Sequence, residues 1–440
     1  MKNPIIYPYR PLPTAFLFVL FIFATHSIAQ VAGTDRDAAV GMLNMTKDTI
    51  KKYYYDPTFH GVDIDFVFDQ ARERMKGAPT RDALMMTIAS AVLAFDDSHT
   101  AFVPPSRAAE IEYGWIVDMV GDDCFVTHVR TKSDAEAKGL KVGDKLLAID
   151  GFKPTRKNIW QMYYRYWSIA PTAKVVMSLL SPGDTKPRVL EIQTKITKTG
   201  VVIPLQTLYD RGVIKKGWSD HEKLDEFQEF GKDLLIWRLH SFSDSEINID
   251  QAMGKARDHK SLIIDLRDNS GGYTDILKRL TSYLFEKDVK IADQKMRKET
   301  KPMVAKGRSG DVFKGDLFVL VNHGSASASE LFSRVIQIEK RGKVIGDRTA
   351  GAVMESRYFD LESGADNNLY FGATVTIADL IMTDGKSLEK TGVTPDEIVL
   401  PTGKDIADSK DPVLSYVAKL CGVELTPDKA GALFPYQWAK

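Results

Sequence analysis

Three serines alternate with two alanines after a short apolar run, and the middle hydroxyl is placed where a nucleophile could stand. The apolar run covers residues 317–321, the serines lie within residues 325–329, and a helical pattern follows. Ser327 falls at the predicted N-terminus of that helix, where unpaired backbone N–H groups can hold a developing negative charge. Serine is also a preferred helix cap, and Glu330 completes a capping-box pattern. The motif by itself fits capping and catalysis equally well.

A turn with paired glycines is the second candidate. In "DLRDNSGGYTD", residues 265–275, an apolar strand runs into Gly271 and Gly272. Adjacent glycines let the backbone approach another group closely and point an N–H outward, as an oxyanion donor or a peptide-binding edge requires. A Gly-Gly pair alone is more often only a turn.

A histidine flanked by hydroxyls is the third candidate. The segment "DDSHT", residues 96–100, places Ser98 and His99 in a loop where hydroxyl groups can bond the imidazole ring and fix its tautomer. A lone loop histidine is more often solvated than catalytic. The sequence has no HExxH or comparable ligand spacing, so it predicts neither a metal site nor a cofactor.

Composition limits the classes of function. The 440 residues carry 59 basic and 59 acidic side chains and are 44% hydrophobic. A chain of this length can bury two or three cores, and no net charge attracts it to nucleic acid or to an acidic membrane. Its two cysteines, Cys124 and Cys421, exclude a disulfide scaffold and a cysteine-rich zinc site. One long-range disulfide and two free thiols both stay open.

The N-terminus predicts export. Lys2 and Arg10 precede an apolar run at residues 15–24, and the small-residue site "SIA" ends at Ala29. The run is shorter than the roughly 20 residues that span a bilayer, so residues 1–29 are interpreted as a cleaved signal peptide. A periplasmic or extracellular protein without stable membrane insertion follows. The alternative is an uncleaved N-terminal anchor.

Three regions follow the signal. Residues 30–105 repeat apolar positions at helical spacing and predict a helical domain. Residues 106–197 alternate as strands do, and residues 198–440 alternate strands with helices after a linker near 196–225. Continuous apolar strands such as "SLIIDLR" indicate a sheet covered on both faces, so the C-terminal region is predicted to be α/β.

The middle region resembles a PDZ domain. Its signal is "SDAEAKGLKVGDKLLAIDGFKP", a short helix followed by a turn and a strand that ends at Asp150 and Gly151. In a PDZ domain an extended peptide adds to a strand edge, and backbone N–H groups hold its carboxylate. The segment "EYGWIV", residues 112–117, takes the place of the carboxylate-binding loop without its usual glycines. Peptide-terminus binding and a closed, purely structural module are both open.

Taken together, the motifs resemble the S41 family of serine peptidases, which includes the C-terminal processing proteases and the tricorn core protease. Five motifs occur in the family's order over nearly the whole mature chain: "DDSHT", "DLRDNSGG", "GSASASE", "GDRTAG" and "LEKTGVTPDEIV". The resemblance implies a ClpP/crotonase-like catalytic core, with the helical and PDZ-like domains added to it. It also implies that Ser327 is the nucleophile and a polypeptide the substrate. Ser325 and Ser329 are then expected to satisfy backbone groups.

The family has two solutions for the catalytic base. In the processing-protease branch a lysine follows the serine by about two dozen residues, and Ala352 occupies its place here. In the tricorn-like branch a histidine preceded by a serine is the base, and a distant glutamate completes the relay. Ser98 and His99 match the first pair, and Glu389 matches the glutamate.

The resemblance then implies a Ser-His-Ser-Glu tetrad. Backbone N–H groups of Ala328 and of Gly272, or otherwise Gly271, are the expected oxyanion donors. Two other classes stay open: a non-catalytic binding module on the same scaffold, and an esterase or other acyl hydrolase. The sequence makes no prediction for the oligomeric state or for substrate specificity.

Overall fold

The computed structural model describes residues 32–198, 225–243, 245–363 and 369–438. The predicted signal peptide and most of the predicted linker lie outside these residues. Neither cysteine forms a disulfide: Cys124 is buried and Cys421 is half-buried.

Three helices begin the described chain where the apolar spacing predicts them. They are α1 (Gly33–Tyr53), α2 (Ile64–Lys76) and α3 (Arg81–Leu93). The side chains of Asp63 and Thr80 cap α2 and α3 by accepting backbone N–H groups of the first turn. The helices share their buried core with Phe371, Ala373 and Val375, which belong to a strand far along the chain. The helical region therefore packs onto the C-terminal half and lies close to its sheets.

An antiparallel sheet is inserted after the helices. Strand β1 (Ala101–Val103) comes first, and a two-stranded ribbon of β2 (Ala109–Glu112) and β8 (Lys195–Lys198) closes the insertion. Between them lies a sheet in the order β3-β4-β5-β6-β7. Its elements are β3 (Trp115–Val120), β4 (Asp123–Val129), α4 (Asp134–Ala137), β5 (Lys145–Ile149), α5 (Ile159–Tyr163), β6 (Lys174–Leu180) and β7 (Arg188–Gln193).

The free edge of β3 is covered by helix α5. The Tyr163 hydroxyl donates to the carbonyl of Val117 and accepts the Val117 N–H at 3.2 Å. Aromatic side chains fill the space around it, with Tyr163 and Trp167 rings 4.9 Å apart and Trp115 and Trp167 rings 5.2 Å apart. At Val117, the backbone N–H and carbonyl that could pair with another strand are therefore already hydrogen-bonded to Tyr163.

The C-terminal half is built on a six-stranded sheet in the order β18-β15-β14-β11-β10-β9. The pairs are parallel except that between β9 and β10. The strands are β9 (Glu226–Phe230), β10 (Leu234–Arg238), β11 (Ser261–Asp265), β14 (Asp316–Val321), β15 (Lys343–Gly346) and β18 (Glu397–Ile398).

Helices cover both faces of this sheet, as the continuous apolar strands predict. Leu235 and Trp237 pack with one group of helices, and Leu234 and Ile236 pack with the other. The first group is α6 (Glu246–Ala256), α7 (Thr274–Ser282) and α8 (Ala328–Ile338). The second is α10 (Pro412–Leu420) and α11 (Pro427–Ala432), which follow the short helix α9 (Gly403–Ala407).

A second sheet joins the N-terminal helices to this core. Its strands are β12 (Val289–Met296), β13 (Thr300–Ala305), β16 (Met354–Ser363) and β17 (Leu369–Met382), together with β1. Strand β17 pairs with β1, β12 and β16. The motifs gave no prediction for these strands, although β17 fixes the position of the loop that carries His99.

Candidate active site

Three loops meet at one edge of the parallel sheet. Strands β11, β14 and β15 are adjacent and parallel, so the segments that follow them emerge at the same edge. These segments are residues 266–273, residues 322–327 and residues 347–353, and they contain three of the sequence motifs. The topology therefore brings the Gly-Gly turn, the serine motif and "GDRTAG" together.

Ser327 stands at the turn from β14 into α8 in an unusual backbone conformation. Its φ is 55° and its ψ is −117°, which residues with a side chain rarely adopt. Its N–H donates to the carbonyl of Ala352 at 2.9 Å and to Oε2 of Glu330 at 3.0 Å. A sharp, strained turn between a strand and a helix is a common way to present a nucleophilic serine.

The neighbouring serines satisfy backbone groups, which confirms that expectation. The Ser325 hydroxyl donates to the carbonyl of Leu266 at 2.7 Å and accepts the N–H of Asn322 at 3.0 Å. The Ser329 hydroxyl donates to the carbonyl of Asn269 at 2.8 Å. Both side chains are buried, whereas Ser327 is partly accessible. Two of the three hydroxyls thus fasten the serine loop to the Gly-Gly loop.

Gly271 touches the serine from the neighbouring loop. A Cβ at Gly271 would lie 2.7 Å from Cβ of Ser327 and 2.9 Å from the nitrogen of Ala328, and its φ is +95°. Both the close approach and the backbone conformation require glycine here.

The two glycines differ in what their N–H groups do. The Gly271 N–H donates to Oδ1 of Asn269 at 2.9 Å. Gly272 is placed by hydrogen bonds of its neighbours: Phe242 N–H donates to the Gly271 carbonyl at 3.0 Å, and Tyr273 N–H donates to the Phe242 carbonyl at 2.8 Å. The N–H groups of Gly272 and Ala328 have no acceptor within the described ranges. These two N–H groups are therefore available to a ligand.

Ser98, His99 and Glu389 form one hydrogen-bonded chain. The Ser98 hydroxyl lies 2.7 Å from Nδ1 of His99 and 2.8 Å from Oε2 of Glu389, and the Ser98 N–H donates to Oε1 of Glu389 at 3.0 Å. A hydroxyl has one proton to donate. If Ser98 donates to an ionised Glu389, it must accept from Nδ1–H of His99, which leaves Nε2 as the basic nitrogen.

Burial shifts the proton equilibrium of the glutamate. It raises the pKa of Glu389 to about 6, although hydrogen bonds from Val353 and Ser98 act in the opposite direction. The carboxyl group is therefore ionised above pH 6 and largely protonated well below it.

Asp97 holds the histidine loop, a role that the sequence motifs do not indicate. Oδ1 accepts the N–H groups of His99 at 2.7 Å and Thr100 at 3.0 Å, and also the Thr376 hydroxyl at 2.7 Å. Oδ2 accepts the Tyr54 hydroxyl at 2.9 Å, and burial raises the pKa of that hydroxyl. An Asp before a turn that accepts N–H groups two and three residues later is a recognisable sequence signal. Its anchoring to β17 is not.

The serine half and the histidine half of the site meet at Ala352 and Val353. The Ala352 carbonyl accepts the Ser327 N–H, and the next N–H, that of Val353, donates to Oε2 of Glu389 at 2.9 Å. The Lys390 N–H also donates to the Gly351 carbonyl at 2.7 Å. Ser327 and Glu389 are thus hydrogen-bonded to the carbonyl and the N–H of the same peptide group.

Two lysines in or close to these motifs form ion pairs. Lys390 forms an ion pair with Asp96 and its side chain is 49% exposed. Lys343 pairs with Glu397 at 2.7 Å and begins β15, whose opposite end leads to the site.

Within the described ranges no three His, Cys, Asp or Glu side chains are grouped as metal ligands are. The helices described in the structure include none with the length and apolar character of a bilayer span.

Comparisons with known proteins agree with this architecture. Residues 233–399 match the model of peptidase family S41. The C-terminal processing peptidase of Tetradesmus obliquus is 25% identical over 387 residues, covering 80% of this chain and 76% of the relative. The carboxyl-terminal-processing protease of a Picosynechococcus species is 23% identical over 364 residues, covering 80% of each chain.

Solved structures share the fold. Mature CPAF complexed with lactacystin aligns with a TM-score of 0.64 and 15% identity over 88% of this chain and 98% of the other. The photosystem II D1 C-terminal processing protease aligns with a TM-score of 0.50 and 20% identity over 90% and 99% of the two chains.

The fold is that of an α/β protease, with a serine presented between a parallel strand and a helix. The family match completes the assignment: this chain contains a peptidase family S41 region at residues 233–399 and is a serine-type peptidase.

Proposed function

We propose that Ser327, His99, Ser98 and Glu389 form the catalytic tetrad of this peptidase. The observation that carries the proposal is the hydrogen-bonded chain from His99 through Ser98 to Glu389, which is fastened to the same loop as Ser327. Ala352, in the position of the lysine base of the processing proteases, supports the histidine instead. Peptide bonds of a polypeptide substrate are the target.

The proposed mechanism is general-base-assisted acyl transfer. Neutral His99 takes the proton of the Ser327 hydroxyl through Nε2 as the oxygen attacks the peptide carbonyl, and returns it to the leaving amine. Ser98 keeps the proton on Nδ1 and, with ionised Glu389, stabilises the imidazolium that forms. Water then attacks the acyl-enzyme with the same base.

The proposed oxyanion site consists of the N–H groups of Gly272 and Ala328. It is supported by two observations: these N–H groups are unengaged in the described structure, and Gly271 leaves the space over Ala328 open. Gly271 is not a donor in this proposal because its N–H already bonds Asn269. Fixed donors of this kind act strongly because they need no reorganisation during the reaction.

The proposal extends to cleavage near polypeptide C-termini, the activity for which the curated relatives are named. The inserted sheet, which we assign as a PDZ-like domain, would bind the free terminus along β3. Peptide addition there requires Tyr163 to release Val117. We further propose a ClpP/crotonase-like core and export directed by residues 1–29.

A direct test uses the exported chain, an unfolded polypeptide and a serine-reactive fluorophosphonate. We expect cleavage and labelling by the wild type, loss of both in Ser327→Ala, and loss of cleavage in His99→Ala. Lys343→Ala and Lys390→Ala are matched controls that should keep both activities. Cleavage that survives Ser327→Ala would refute the assignment of the nucleophile.

The same experiment separates the other classes of function. Labelling of Ser327 and hydrolysis of simple esters without peptide cleavage would indicate an acyl hydrolase. Absence of both labelling and cleavage would indicate a binding module. Loss of cleavage in Lys390→Ala, with His99→Ala active, would replace the histidine base by a lysine.

A further inference from the structure

The conformation of Ser327 needs an explanation from its surroundings. Its φ of 55° and ψ of −117° are unfavourable for a residue with a side chain. Such a conformation persists only where neighbouring contacts impose it. The hydrogen bonds of its own N–H, to Glu330 and to Ala352, are the contacts that fix the peptide on its N-terminal side.

Glu330 is the centre of these contacts. It lies in the first turn of α8 and is completely buried, with 0% of its surface exposed. Oε2 accepts the N–H groups of Ser327 and Ala352, both at 3.0 Å. Oε1 accepts the Thr349 hydroxyl at 2.5 Å and the Gly351 N–H at 2.8 Å. Four donors therefore converge on one carboxyl group.

This carboxyl group has no cationic partner among the described residues. Its hydrogen bonds go to the nucleophile's own peptide and to residues 349–352, the segment whose next N–H, that of Val353, bonds Glu389. A buried carboxyl group without a counter-ion is unfavourable unless hydrogen bonds satisfy it. Here those bonds join the two halves of the proposed site.

We propose that Glu330 is a positioning residue that holds Ser327 in its strained conformation and fixes residues 349–352 beside it. The inference rests on Ser327 being the nucleophile, as proposed above. Glu330 and the Ala352 carbonyl both accept the Ser327 N–H. The Ala328 N–H is then the free donor at the start of α8. The consequence is a correct angle of attack and a fixed position of the peptide that bonds Glu389.

A plain helix cap would behave differently. Loss of a cap lowers stability, whereas loss of a positioning residue lowers the rate of the chemical step in protein that is still folded. Substitution by glutamine separates these effects further. Its one oxygen can still accept from Ser327 and Ala352, while its amide group can donate to the Thr349 oxygen, so only the Gly351 N–H loses its acceptor.

The test compares Glu330→Leu, Glu330→Gln and Ser333→Ala in the full chain. Ser333 is a matched control because it is buried on the same helix and its hydroxyl donates to the Ser329 carbonyl, at 2.7 Å. We measure the rate constant of fluorophosphonate labelling at Ser327, kcat and KM for the unfolded polypeptide, and thermal unfolding.

For Glu330→Leu we expect labelling and kcat to fall by about 100-fold with KM nearly unchanged, since small misplacements of reacting groups have effects of this size. Glu330→Gln should recover most of the rate, and Ser333→Ala should match the wild type. A folded Glu330→Leu protein that labels at the wild-type rate overturns the proposal and leaves Glu330 as a cap.

Two further outcomes keep the test decisive. If Glu330→Leu does not fold, Glu330→Asp replaces it, because it keeps the charge but withdraws the oxygens by one methylene group. Labelling slower than in Glu330→Gln then supports positioning, and labelling equal to the wild type overturns it. Failure of the wild type to label at Ser327 contradicts the proposed function itself and is distinguishable from both results.

Discussion

At the residue scale, the hydroxyl of Ser98 decides which nitrogen of His99 is basic. Because Ser98 has one proton, its donation to Glu389 forces it to accept from Nδ1–H. If Glu389 is protonated, Glu389 becomes the donor and Ser98 can donate to Nδ1, which moves the ring proton to Nε2. In the proposed tetrad, the protonation state of a carboxyl group two hydrogen bonds away therefore switches the base on or off.

We therefore predict that kcat/KM falls as the pH is lowered through about 6, the raised pKa of Glu389. Glu389→Gln, which cannot ionise, should reduce kcat by about 100-fold at pH 8, because neither the tautomer nor the imidazolium is then supported. The measurement is a pH profile of peptide cleavage. Full activity of Glu389→Gln at pH 8 would contradict the relay.

Besides its expected effect on the rate, Glu330 should make the stability of the protein depend on pH. Burial raises its pKa from 4.5 to about 7. A raised carboxyl pKa means that the folded state binds the proton more tightly, so the free energy of unfolding decreases as the pH rises from 4.5 to 7. The decrease should be on the order of 3 kcal/mol and absent in Glu330→Gln. Urea unfolding at several pH values measures it, and parallel curves for both proteins would contradict it.

At the element scale, the site is assembled from the ends of strands rather than from helices. Strands β11, β14 and β15 supply three loops at one edge, and β17 supplies the support for the histidine loop through Thr376 and Asp97.

In the inserted sheet, β3 is the edge strand, and helix α5 of the same region covers it. The Tyr163 hydroxyl donates to the Val117 carbonyl and accepts the Val117 N–H.

This arrangement predicts that Tyr163 competes with peptide. Tyr163→Phe keeps the aromatic packing but frees the Val117 N–H and carbonyl, so a peptide with a free C-terminal carboxylate should bind about tenfold more tightly. Fluorescence anisotropy with a labelled peptide measures the affinity. Tyr113→Phe is the control, because its hydroxyl bonds Tyr166 instead. Equal affinity in both variants and the wild type would indicate that β3 is not a peptide edge.

At the scale of the whole molecule, the inserted sheet is docked on the loop that carries the site. The side chains of Arg156 and Asp347 form an ion pair at 2.9 Å and are 14% and 7% exposed. Oδ2 of Asp347 also accepts the Gly121 N–H at 2.9 Å. Near the C-terminus, Tyr436 packs on His128 of the inserted sheet with ring centres 3.8 Å apart. The contacts of Asp347 hold the inserted sheet against the start of residues 347–353.

Breaking the buried pair should affect both stability and the site. Arg156→Met leaves Asp347 without its cation and should lower the free energy of unfolding by about 3 kcal/mol. Slower fluorophosphonate labelling should accompany it, because the displaced loop continues to Ala352. Arg348→Ala is the control: its ion pair with Asp122 is exposed, 42% and 84%, and contributes about 1 kcal/mol or less. Equal effects of the two substitutions would contradict this docking.

Sequence alone determined the local structure and the identity of the chemical groups. Apolar periodicity located α1, α2 and α3, continuous apolar strands indicated a sheet covered on both faces, and Ser327, His99 and the Gly-Gly turn were visible as residue types. These features are local: they depend on propensity, capping and spacing of residues that are close in the chain. The motif alone likewise showed that position 352 holds an alanine and not a lysine.

Tertiary structure decided how these groups work together. Sequence spacing does not specify that β17 joins the helical region to the core, that Asp97 reaches Tyr54 and Thr376, or that Glu330 accepts four donors. Nor does it specify that the Gly271 N–H donates to Asn269, whereas the Gly272 N–H has no acceptor among the described residues. The physical reason is that these contacts join segments far apart in the chain, and only the packing of the sheets determines which segments meet.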